Sequence, residues 1–131
     1  MTIVTMKKLT PVLFVNEIEP CLDFWTRLGF QRTVEVPEGD RLGFVILAKD
    51  SVEVMYQSRE SVQKDVPLLA DMPSCTSLYI EVSDLDAVQS AVSAAPVVVA
   101  RRKTFYGADE FGVREPGGNV ILFSKQATPP N

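Results

Sequence analysis

Hydrophobic positions recur along this chain with two different periods, and the alternation between them sets out the elements. Ile18, Cys21, Leu22, Trp25 and Leu28 follow at three- and four-residue spacings, the apolar stripe of an amphipathic helix. Asn16 with Glu19 makes an Asx-x-x-Glu capping pattern, and Pro20 falls in the first turn, where its missing N–H does least harm. Gly29 ends the helix. The flanking apolar runs are short and β-branched, which predicts strands at residues 9–15, 31–36, 42–47 and 52–57. Pro37 with Glu38-Gly39-Asp40, and then Lys49-Asp50, supply the turns between them. Residues 58–74 are polar and carry Pro67 and Pro73, so they read as a connection, with a short helical turn at Val66–Leu69.

The order then repeats. A strand at residues 77–82 leads into a helix capped by Ser83 with Asp86 and running to about Ala95. Strands at 97–102, 110–114 and 120–124 follow, with turns at Phe105-Tyr106-Gly107 and Pro116-Gly117-Gly118-Asn119. Residues 126–131 read as a loose tail. The offset between halves is constant at 67 residues, from Val15 to Val82 and from Ile18 to Leu85. A small strand–helix–strand unit cannot bury its own sheet face, so duplication is the economical reading. The expected fold is α+β: two βαβββ modules forming a curved, cleft-bearing mixed β-sheet with helices on its outer face. The modules are residues 9–57 and 76–125 of a single domain spanning 1–131.

Composition narrows the chemistry. The 131 residues are 46% hydrophobic and 23% charged, which predicts a packed soluble protein. Thirteen basic against seventeen acidic side chains give a net charge of −4, against a nucleic-acid binder. Arg101-Arg102-Lys103 is the one basic run and reads as a solvated strand end. No export signal is visible in residues 1–8, and no apolar stretch approaches the ~20 residues that span a bilayer. Cys21 and Cys75 therefore read as reduced thiols of a cytoplasmic protein, Cys21 buried on the helix stripe. There is no histidine, so neither thiol has an imidazole to activate it.

The segments Pro11-Val12-Leu13-Phe14-Val15, Phe24-Trp25 with Leu28-Gly29-Phe30, and Glu115-Pro116-Gly117-Gly118-Asn119 carry a resemblance. In this order and spacing they resemble the glyoxalase / bleomycin-resistance / extradiol-dioxygenase superfamily, the vicinal oxygen chelate proteins. The Phe-Trp-x-x-Leu-Gly-Phe helix exit looks like the bleomycin-resistance branch. The resemblance implies four metal-ligand positions, which here are Thr10, Glu53, Ser77 and Leu122. Only Glu53 keeps a ligand type, whereas a transition-metal site wants about three or four imidazole, thiolate or carboxylate donors. The expectation is therefore no metal and no cofactor.

What the resemblance leaves is a concave face. Side chains alternate across a strand, so residues in step with those positions share it. The expected ligand contacts are Thr10, Phe14, Glu53, Met55, Gln57, Ser77, Tyr79, Glu81 and Leu122, with Tyr106 as a stacking platform implied by the resemblance. Glu53 and Glu81 would favour a cation. Glu53, between Val52 and Val54, is costly on an inward face unless paired, hydrated or protonated. A salt bridge to a lysine or arginine is its structural alternative. Two functions follow. One is a metal-independent binding protein that sequesters an amphipathic, cationic small molecule in the cleft of a homodimer, without nucleic-acid or membrane partners. The other is a metal-free isomerase- or lyase-like enzyme in which burial raises the pKa of Glu53 so that it serves as general base.

Overall fold

The computed structural model describes residues 3–73 and 75–127, so most of the expected tail lies outside the described residues. Two four-stranded mixed sheets carry the fold. The first half runs β1 (Val12–Val15), α1 (Glu19–Arg27), β2 (Gln31–Glu38), β3 (Arg41–Lys49) and β4 (Val52–Ser58), in sheet order β1-β4-β3-β2. The connection holds α2 (Arg59–Asp65) and a 3₁₀ turn at Pro67–Leu69. The second half runs β5 (Ser77–Glu81), α3 (Leu85–Ala91), β6 (Val97–Lys103), β7 (Asp109–Arg114) and β8 (Val120–Lys125), in order β5-β8-β7-β6. In each sheet the first and last strands of the module pair in parallel and the others antiparallel. The duplicated pattern thus appears as two sheets of one topology, rather than one continuous sheet within the chain.

Period-two burial explains why each sheet has one dry face. Leu13, Val15, Val45, Leu47, Val54 and Tyr56 are buried on the first sheet, and Phe111, Val113, Ile121 and Phe123 on the second. All belong to one contiguous core with Ile18, Cys21, Leu22, Phe24 and Trp25 from the α1 region and Leu85 of α3. Each such apolar side chain contributes about 1.5–3 kcal/mol on burial. Trp25 sits edge-on to Phe24 and Phe30, with ring centroids 5.2 and 4.9 Å apart.

A polar chain crosses this core and ties the halves together. Trp25 Nε1 donates to the Tyr56 hydroxyl at 2.8 Å, and that hydroxyl donates to Glu115 Oε2 at 2.5 Å. Glu115 Oε1 accepts from the Asn119 backbone N–H at 2.5 Å. Glu115 is 1% exposed, so its carboxylate is supported by O–H and N–H donors instead of water. The turn that delivers it needs both glycines. Gly118 has φ +93°, and a Cβ on Gly117 would lie 2.7 Å from Val15 Cγ1 and 2.9 Å from Glu115 Oε2.

Several expected boundaries move. Helix α1 begins at Glu19 with Ile18 as its uncapped N-cap residue, so Asn16 caps nothing; Glu19 instead accepts from the Leu42 backbone N–H at 2.7 Å. Asp84, not Ser83, caps α3 through the Ala87 N–H at 3.0 Å, and Asp86 turns outward to Arg101. That helix stops at Ala91. The connection holds helix α2, which the sequence pattern does not predict: only Val62 of its seven residues is buried, so it has no apolar stripe, and the Ser58 hydroxyl caps it. Strand β2 runs through Pro37, which a sheet edge with a register shift at Val36/Pro37 accommodates.

Candidate functional site

The face opposite the core is partly open on each sheet, although Glu110, Gly112 and Ser124 of the second are buried. On the first sheet it presents Val12, Phe14, Phe44, Ile46 and Met55, with Val34 and Val36 on the edge strand, 42% and 47% exposed. On the second it presents Ser77, Tyr79, Leu122, Val120 and Gly112, with Glu110 and Arg102 beside them. Val12, Val34, Val36 and Tyr79 are exposed large apolar or aromatic groups, and Phe14, Phe44, Ile46, Met55, Val120 and Leu122 are half-buried.

At the end of the first face lies the Glu53 cluster. Thr10 Oγ1 donates to Glu53 Oε1 at 3.1 Å, and Lys8 Nζ stands 3.0 Å from the same oxygen. The Lys8 ammonium, set against the opposing effect of burial and helped by the Thr10 hydroxyl, holds the Glu53 carboxyl below the usual carboxylate range. This overturns the raised pKa expected of a general base: partial burial is outweighed by a paired ammonium, and the salt-bridge alternative is the one realised. Gln57 is also engaged, its Nε2 donating to Ser61 Oγ of α2 at 3.1 Å.

The second face carries a cluster that the sequence reading missed. Glu110, 2% exposed, accepts from Arg102 Nε and Nη2 at 3.2 and 3.0 Å and from the Tyr106 hydroxyl at 3.1 and 3.0 Å. Desolvation first, and then the Glu110 carboxylate, push the Tyr106 phenol up. Arg101 pairs likewise with Asp109 and Asp86. The basic run is therefore not merely a solvated strand end. The signal was legible: Arg101-Arg102-Lys103 and Asp109-Glu110 flank one turn, and antiparallel pairing sets Arg102 opposite Glu110. The Tyr79 hydroxyl accepts from Gln126 Nε2 at 3.0 Å, beside a buried Ser124 that shares the same donor.

Thr10 and Glu53 thus meet directly, and Tyr79 and Leu122 are register partners on the other sheet. Leu122 presses on Gly112, where a Cβ would come within 2.7 Å of Leu122 Cδ2. Hydrocarbon therefore fills the fourth ligand position. Among the described residues, no group of three or more Cys, Asp or Glu is placed to hold a metal ion. With one carboxylate already committed to Lys8, two hydroxyls and a leucine, the donor set does not fit a divalent transition metal.

Preformed grooves lie elsewhere. One of about 370 Å³ runs along the seam between the halves, from Leu28 and Val52 to Ile80, Glu81 and Val88. Another of about 250 Å³ separates α1 from Ala95, Pro96 and Pro116. Of the expected ligand contacts only Glu81 lines either of these two grooves.

The sequence profile of the Glyoxalase/Bleomycin resistance protein/Dioxygenase superfamily matches residues 7–123, and the chain belongs to that superfamily. Solved structures share the fold. TioX from Micromonospora sp. ML1 is 17% identical, with 93% of this chain and 100% of that one covered at a TM-score of 0.73. A lactoylglutathione lyase from Agrobacterium tumefaciens is 12% identical over 92% and 94%, at 0.70. The bleomycin-binding protein from bleomycin-producing Streptomyces verticillus, solved with copper(II)-bleomycin, is 25% identical over 96% and 100%, at 0.62. No curated protein matches the sequence. No described helix is long and apolar enough to cross a membrane.

Proposed function

We propose that this protein binds an amphipathic, cationic small molecule without a metal, in a cleft that two copies build from their open sheet faces. The observation that carries this reading is the pair of uncovered faces, apolar on the first sheet and tyrosine-bearing on the second. Val12, Val34, Val36, Tyr79 and Tyr106 are each 42–51% exposed, a waste of burial unless a partner copy and a ligand cover them. A two-fold axis brings one copy's first sheet against the other's second sheet, twice over. Thr10, Phe14, Glu53, Met55 and Gln57 then face Ser77, Tyr79, Tyr106 and Leu122 of the second copy.

A ligand ammonium reaches Glu53 by displacing Lys8, whose side chain is 60% exposed. The net charge of −4 draws cations to the surface. The bleomycin-binding relative, solved with copper(II)-bleomycin, supports a small-molecule ligand. Two unpaired cysteines accord with a reducing compartment, and we place the protein in the cytoplasm, where sequestration would protect a cell from such a compound.

Mixing of variants tests the shared cleft. Phe14→Ala cripples one wall and Tyr79→Ala with Tyr106→Ala the other, so neither protein binds alone. Exchanged heterodimers recover one intact cleft each, about a quarter of the wild-type sites in an equimolar mixture. No recovery, in a mixture shown to exchange subunits, would refute the shared cleft.

A further inference from the structure

The seam groove has the size of a ligand site, since such pockets begin at about 300 Å³. Leu28, Val52, Ile80, Val82 and Val88 pack on the core yet stay partly open, and all five line this groove. The core therefore has an unfilled apolar margin at the junction of the two halves. The charges at its rim are unevenly satisfied. Arg27 is held by Asp23 at 2.6 Å, and Lys49 leans toward Asp50 at 3.9 Å with its stem laid along Gly29. Asp84 spends one oxygen on the Ala87 N–H. Glu81 is exposed and makes no hydrogen bond or ion pair among the described residues. Both rim cations thus have an acid beside them, while among the described residues the carboxylates of Glu81 and Asp84 have no cation.

We propose that the seam groove is a second small-molecule site, taking an organic cation whose apolar body lies on Leu28, Val52 and Val88 and whose ammonium meets Glu81. It goes beyond the cleft proposed above, and apart from Glu81, which is in step with Tyr79 on β5, its lining is a different surface. Because its walls come from both halves, an occupant bridges them.

The test is amide NMR on the full-length protein titrated with 4-phenylbutylammonium, neutral 4-phenylbutanol and 4-phenylbutyrate. The cation is expected to bind best and the anion worst, with shifts at Leu28, Val52, Glu81 and Val88. Glu81→Gln should weaken the cation by about tenfold, the loss of one charge-assisted hydrogen bond, and leave the alcohol unchanged. Ala87→Trp, an exposed helix position on the groove wall, should block both. Equal binding of cation and anion, no binding at millimolar probe, or shifts confined to open-face residues such as Met55 and Tyr79 would each overturn the proposal. The last result would support the cleft instead, so the two readings fail separately.

Discussion

Replacing Tyr56 with phenylalanine removes one oxygen from the middle of the buried chain that joins the two halves. The ring still fits, because Tyr56 is fully buried and its packing is unchanged. Two partners lose their bond at once. Glu115 Oε2 gives up a 2.5 Å donor, and Trp25 Nε1 gives up its 2.8 Å acceptor, both in surroundings that water does not reach. A hydrogen bond to a charged group contributes about 1.5–3 kcal/mol, and a stranded buried donor costs about 1–3 kcal/mol. Partial relaxation of the two losses leaves a net of about 3 kcal/mol, a large share of the 5–15 kcal/mol typical of a domain. At this chain length that corresponds to a fall in melting temperature of about 10 °C. Urea unfolding followed by the fluorescence of Trp25, the single tryptophan, measures both the stability and the loss of the Tyr56 contact. Glu115→Gln should cost a similar amount, because its amide N–H₂ faces a donor at one of its two partners. The double variant should show a coupling of about 1–3 kcal/mol. A Tyr56→Phe loss below about 1 kcal/mol would mean that the chain is incidental to the junction, against the reasoning from burial.

Three further outcomes follow from the same geometry. Gly117→Ala should destabilise by about 1–3 kcal/mol in urea unfolding, because its Cβ meets Val15, Glu115 and Cys21, whereas its neighbour Gly118 has open space and only a φ requirement. In the native protein one thiol of two should react with Ellman's reagent: Cys75 is exposed, while burial and then the Glu115 carboxylate push the Cys21 thiol up to about 12. Both should react in urea. Stability should fall on acidification, since Lys8 and Arg101 hold Glu53 and Asp109 below their unfolded values. That contribution is present above an unfolded pKa of about 4 and is lost as pH drops through the lower folded values. Lys8→Met should therefore lose less stability between neutral and acid pH than the wild type does. Denaturant midpoints across that range decide the matter.

The order of the elements and their division into two modules were legible because most strands carried their own apolar run and their own turn, whereas the strand order within each sheet was not. The repeat at Val15 and Val82 pointed to the duplication. Helix α2 and the cap at Asp84 were not, since a helix with one buried residue leaves no stripe and Ser83, Asp84 and Asp86 are all plausible caps by type. The open-face residues could be assigned by alternation alone. Their charge state could not, because Lys8 precedes the first strand and reaches Glu53 only through tertiary placement, 45 residues away in sequence. The Arg102–Glu110 pair is readable only when the basic run and Asp109-Glu110 are taken together as complementary charges on paired strands across one turn. The seam groove has no sequence signature, being made by side chains from five separate segments.

Calorimetry on protein freed of metal by chelation tests the central claim most directly, with metal-free bleomycin-type glycopeptide and other cationic aromatics as titrants. The account predicts saturable binding of a cationic aromatic, one per chain in the paired form, and, for titrants that do not themselves chelate a metal, an affinity unchanged by added Mn²⁺, Ni²⁺ or Zn²⁺. Binding that appears only with a metal would contradict it, and so would its absence across the whole set of titrants.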